Sequence, residues 1–180
     1  MTEKKERIGL VHLYCGDGKG KTTAAMGLIA RALGHDYRVL LVQFLKNGTS
    51  GELTSLRKLD RVEIMAGQIT SKFSISMTEA EKEQTRLLHC DYFRRAVQQV
   101  QAGSIDLLVL DEILGAIESD MMVESDLLDF LRHKPQGLEV VITGRHASQA
   151  IMETADYISR IECVRHPYAR GILARPGIEY

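Results

Sequence analysis

The chain has 180 residues, 44% of them apolar and 26% charged, and 23 basic against 24 acidic side chains leave a formal net charge of −1. Such a length suits one compact domain that buries roughly two-thirds of its unfolded surface, and the balanced charge excludes binding to nucleic acid or a membrane surface through net charge. Cys15, Cys90 and Cys163 are far apart and lack Cys-x-x-Cys spacing, so they read as free thiols of a cytoplasmic protein.

Residues 1–7 are polar and read as a flexible N-terminus, with no apolar stretch that suits a signal or a membrane span. Six short apolar runs follow: 8–14, 38–45, 62–66, 106–113, 138–143 and 157–164. Near-continuous runs of this kind suit strands buried on both faces. Between them lie helical stretches at 21–34, 51–59, 78–103, 124–134 and 146–155, and this alternation predicts a parallel α/β sheet. The long helix is the best delimited, because Thr78 and Glu81 form a capping box and Gly103 follows the last turn. On it Phe93, Ala96, Val97 and Val100 share one face, which reads as core.

The first strand runs into "CGDGKGKTT", residues 15–23. A strand, a glycine-rich turn and a helix opening at Lys-Thr-Thr form an anion site, because helix N-terminal amides and turn amides converge there. Gly16, Gly18 and Gly20 admit the necessary backbone, Lys21 would bridge phosphate oxygens, and the Thr22 hydroxyl would ligate magnesium. Cys15 stands where the usual Gly-x-x-x-x-Gly-Lys-Thr pattern has its first glycine. Further on, "LLVLDE" drives a strand into Asp111 and Glu112, either of which could hold magnesium directly or through water. Gln43 and Arg145 also stand at strand carboxyl ends, where open parallel sheets bind ligands. No Asn-Lys-x-Asp segment is present to read guanine.

These pieces, together with "VLLVQFLK", "VVITGR", "ADYISRI" and the tail "RHPYARGILARPGIEY", resemble the P-loop corrinoid adenosyltransferases nearly end to end. The resemblance implies a three-layer, RecA-like P-loop fold with a mostly parallel sheet in a single domain over 1–180. Its tail, 165–180, would close the site. It implies adenosyl transfer from ATP to the Co(I) of a corrinoid with release of triphosphate, with magnesium, or manganese in its place, as the metal. A flavoprotein-type reductant and a homodimer would accompany it.

By the same resemblance Gly18, Lys19, Gly20, Lys21, Thr22 and Thr23 hold phosphates, Thr22 and Glu112 serve the metal beside Asp111, and Asp17 and Arg31 face the nucleoside. Phe73 and Ile75 fall in the segment that packs on the corrinoid face, with Ile75 where the family has tryptophan; this chain has no Trp. His166 and Tyr168 match the tail motif. Leu114 and Gly115 stand where the family often has a polar residue. Two alternatives remain at this stage: an ATP- and corrinoid-binding carrier or sensor, and a P-loop ATPase or kinase acting on another small molecule.

Overall fold

The computed structural model describes residues 7–68, 70, 72 and 76–180. Phe73, Ile75 and the first six residues lie outside that set. In chain order the elements are β1 (Val11–Cys15), α1 (Lys21–Leu33), β2 (Val39–Gln43), α2 (Gly51–Leu56), β3 (Val62–Met65) and α3 (Glu79–Gln101). Then come β4 (Leu107–Asp111), α4 (Ile113–Glu118), α5 (Glu124–His133), β5 (Glu139–Thr143), α6 (Gln149–Thr154), β6 (Tyr157–Arg160) and a 3-10 turn at Pro167–Arg170.

The six strands form one sheet in the order β3-β2-β4-β5-β1-β6, and every pairing is parallel. From β1 the chain moves toward one edge, through β2 to β3, and then returns through β4 and β5 to β6 at the other. Parallel crossovers are right-handed, so the two directions of travel place their helices on opposite faces. The side chains divide accordingly. Leu41, Val109 and Val141 pack with Ala25 and Ile29 of α1 and Leu53 of α2, whereas Leu40, Leu110 and Ile142 pack with Phe93 of α3, Leu127 of α5 and Ile151 of α6. Alternate residues of the same strand thus feed two cores, which explains why β2 and β4 have no polar face.

Helix α3 starts as its sequence predicts: the Thr78 side chain accepts from the Glu81 amide, and Glu81 accepts from the Thr78 amide at 2.8 Å. Two expectations fail. The run 106–113 is not strand throughout, because Glu112 takes a left-handed backbone (φ 61°) and Ile113–Glu118 continues as helix α4. Nor are the two edge strands buried on both faces: β3 buries only Met65, and all four residues of β6 are exposed. No helix among the described residues is long and apolar enough to cross a membrane.

Candidate functional site

Strand β1 sends its chain to the α1 face and its neighbour β5 sends its chain to the opposite one, so their carboxyl ends open a crevice. The glycine-rich turn occupies that crevice. Gly20 caps α1 with φ 126°, and no side chain blocks the first amides of the helix. A Cβ at Gly16 would lie 2.5 Å from the Ile161 carbonyl oxygen, and one at Gly18 would lie 2.6 Å from that of Glu162. Gly18 also donates its N–H to the Ile161 carbonyl at 2.8 Å. These two glycines therefore answer to the backbone leaving β6 as well as to any phosphate.

Lys21 is nearly buried, and its ammonium folds back onto the carbonyls of Gly16 (2.6 Å) and Gly18 (2.9 Å). One turn into the fold sits Asp111, fully buried at the end of β4. Its Oδ1 accepts from the hydroxyls of Thr22 (2.9 Å) and Thr143 (2.8 Å), and its Oδ2 from the Gln43 amide (3.1 Å) and the Lys46 ammonium (2.6 Å). A buried carboxylate is tolerated only when paired and hydrogen-bonded, and here α1, β2, β4 and β5 each contribute a partner or the group itself.

Glu112 faces the cleft beside it, its N–H donating to the Thr143 hydroxyl at 2.9 Å. Burial, with the charge of Asp111 adding to it, pushes its carboxyl above the ordinary range. A Cβ at Gly115 would come within 3.3 Å of a Glu112 carboxylate oxygen, so the small residue there makes room for this side chain. Leu114 points into the core instead, 2% exposed, and does not line the cleft.

The cleft has a volume of about 780 Å3. It is lined by the loop and helix start from Asp17 to Thr23, by Glu112, Arg145 and His166, and by Lys46, Glu52 and the tail residues Gly177–Tyr180, with Met26, Gly51 and Ser55 completing it. The tail is held over the loop by Glu179, which pairs with Lys19 at 3.1 Å and with Arg175. Arg175 chiefly holds the Glu179 carboxyl down at about 2. Gly16 lines an adjoining cleft of about 430 Å3 that shares Asp17 and Arg145 with the first.

Two residues expected at the site are elsewhere. Arg31 lies roughly 15 Å along α1 from Lys21, at ~1.5 Å per residue, where it lines a separate pocket with Tyr37 and Glu139. Arg31 is not among the residues that line the cleft. Tyr168 is 69% exposed on the 3-10 turn and does not line the cleft, although His166 two residues earlier does. Lys46, Thr143, Glu52 and Glu179 were missed. Thr143 had a legible signal, a polar residue closing a buried apolar strand; Lys46 had only its position after "LLVQFL".

Among the described residues no three His, Cys, Asp or Glu side chains gather into a metal cage. Magnesium does not need one, since it is commonly held by one or two protein oxygens plus water and phosphate. The oxygens of Thr22 and Asp111 are hard donors of the right kind, and they already share one cation, the Lys46 ammonium.

Comparison with known proteins agrees with this geometry. Two solved structures share the fold: EssC (ATPases 2 and 3) from Geobacillus thermodenitrificans, with TM-score 0.51 and 13% identity over 94% of this chain, and the cytoplasmic domain of EssC, with TM-score 0.54 and 16% identity over 93%. The chain spans about a third of each, 35% and 34%, so the likeness shows the P-loop α/β fold alone. Relatives similar along the whole chain include the corrinoid adenosyltransferase of Escherichia coli, 28% identical over all of this chain and 90% of the relative. That of Pseudomonas aeruginosa is 28% identical over 100% of this chain and 88% of its own, and that of a Sinorhizobium species 30% over 100% and 84%. Residues 7–180 match the family description over nearly the whole chain, and the protein belongs to the ATP:corrinoid adenosyltransferase family BtuR/CobO/CobP.

Proposed function

We propose that this protein transfers the 5′-deoxyadenosyl group of ATP to the Co(I) centre of a corrinoid and releases triphosphate. The observation that carries this reading is the convergence of Lys19, Lys21, Lys46 and Arg145 on a cleft lined by Thr22, whose hydroxyl donates to the buried Asp111. Four cations suit a leaving group that departs with several negative charges.

In the reaction the Co(I) electron pair attacks C5′, the cobalt–carbon bond forms, and the C5′–O bond breaks with its electrons going to the triphosphate. Co(I) carries no proton, so the step needs no general base. The work of this chain is positioning and charge stabilisation. Lys21 exchanges its carbonyl partners for phosphate oxygens, the first amides of α1 receive the anion, and Lys19 and Arg145 flank it. Thr22, Glu112 and Asp111 would hold magnesium, or manganese in its place. The metal supplies further neutralisation of the leaving charge.

Asp17 borders both clefts, a place that suits contact with the nucleoside. Gly177–Tyr180 and His166 close the cleft as a tail, within one domain. Phe73 and Ile75 are the proposed packing for the corrinoid face, with isoleucine excluding water in place of tryptophan. Exposed Tyr157 and Ile158 on the edge strand β6 favour a homodimer. Three free thiols fit a cytoplasmic setting, where a flavoprotein-type reductant would generate Co(I).

The test is the phosphorus product. Phosphorus NMR of a turnover mixture containing MgATP and reduced corrinoid is expected to show inorganic triphosphate equal to corrinoid consumed. Orthophosphate released without corrinoid would instead mark an ATPase, and ADP formed with a phosphorylated acceptor a kinase.

A further inference from the structure

Of the four donors to Asp111, three are held by regular structure: Thr22 on α1, Gln43 on β2 and Thr143 on β5. Lys46 is different. It lies beyond the end of β2, its side chain is 27% exposed where the Asp111 side chain is fully buried, and it reaches Oδ2 on a flexible four-carbon stem. Its ammonium also donates to the Thr22 hydroxyl at 3.0 Å. A cation of the chain itself therefore touches the same hydroxyl and carboxylate that a divalent ion would use.

A second cation cannot enter beside it without strong repulsion, since like charges at contact distance oppose each other and the lone pairs of Asp111 are already engaged. We propose that Lys46 is an exchangeable counter-ion: it neutralises Asp111 while the site is empty, and it leaves for the triphosphate when the divalent metal takes its place. The inference rests on the triphosphate reading above and adds to it how Lys46, held by Asp111 in the empty site, comes to join the other cations of the cleft.

Three consequences follow from the geometry. Without nucleotide the protein resists divalent metal, because the metal must displace a bound ammonium that has nowhere better to go. With triphosphate present the ammonium has a more highly charged partner inside the same cleft, so metal and nucleotide bind cooperatively. After the exchange, the leaving group gains one more cation than the loop lysines supply.

The experiment titrates Mn2+, as the probe, into nucleotide-free full-length protein and reads free Mn2+ by electron paramagnetic resonance. Wild type, Lys46→Met and Lys46→Gln are compared, and thermal melts check that each is folded. The neutral Gln can still donate to Asp111, which guards against loss of fold in the Met variant. Removing the competing charge is expected to tighten Mn2+ binding without nucleotide by about tenfold. The further tightening that ATP produces in wild type is expected to shrink in both variants. Nucleotide-free Mn2+ affinity that is unchanged or weaker in folded variants overturns the exchange while leaving the triphosphate reading intact. A wild-type protein that fails to bind MnATP at all overturns both.

Discussion

Acid should weaken this protein through one buried histidine, and the loss can be worked from its surroundings. His89 on α3 is fully buried, with its ring edge-on to Phe44 at 5.2 Å between centroids, and Nε2 accepts the Leu45 N–H at 3.3 Å. Burial lowers its pKa from 6.5 to about 4, with the Met121 backbone offsetting this in part. Because the folded value is the lower one, the unfolded chain binds more protons between pH 6.5 and 4. Stability contributed by neutral His89 is therefore present above the unfolded value and falls as pH drops through that window. At ~1.36 kcal/mol per pH unit the full loss is about 3 kcal/mol, a large fraction of the 5–15 kcal/mol or so of a typical domain. The effect also reaches the site, since Leu45 has φ 55° and precedes Lys46, and a protonated ring cannot accept its N–H. Urea unfolding midpoints at pH 7, 6 and 5 measure it. Wild type should lose stability more steeply than His89→Gln, which cannot take up the proton. Equal slopes for the two proteins would refute the reasoning.

Further outcomes come from the site itself. Gly144→Ala would place a Cβ 2.4 Å from that of Leu114, so helix α4 must shift; a loss of roughly 1–3 kcal/mol, read by chemical unfolding, is expected. Glu112→Gln should raise the melting temperature of the nucleotide-free protein at pH 7, because a carboxyl whose folded pKa is raised loses stability as pH rises through that value. The same variant should lower turnover by about 10- to 100-fold, which initial rates at saturating magnesium will read.

All six strands and five of the six helices are legible in the amino-acid pattern because two buried cores demand apolar runs on both sheet faces. Helix α4 is not, since in "DLLVLDEILGAI" apolar residues stand on both sides of the Asp111–Glu112 pair and only the left-handed Glu112 separates strand from helix. The exposure of β6 is equally hidden: Tyr157 and Ile158 look like core residues until the strand order puts them at an edge. At the site, the loop from Asp17 to Thr23 and the Asp111–Glu112 pair stand out because each is a local motif at a strand end. Lys46 and His89 do not, since a lysine after a strand and a histidine in a helix are usually solvated. The place of Lys46 exists only because α1 and β4 meet beyond the end of β2, and that of His89 because α3 packs against the loop that leaves β2. Arg31 shows the converse, a charged residue in the right helix that lines a different pocket.

The most direct measurement is anaerobic. Protein, MgATP and chemically reduced Co(I) corrinoid are mixed, and the Co(I) absorbance is followed as it converts to that of a light-sensitive adenosylated product, with Lys21→Ala run in parallel. The account predicts enzyme-dependent product with one triphosphate per corrinoid, and a rate reduced by about 100-fold or more in the variant. ATP binding with no adenosylated product from either cobalamin or its diamide precursor would contradict it, and would leave a protein that holds both ligands without joining them.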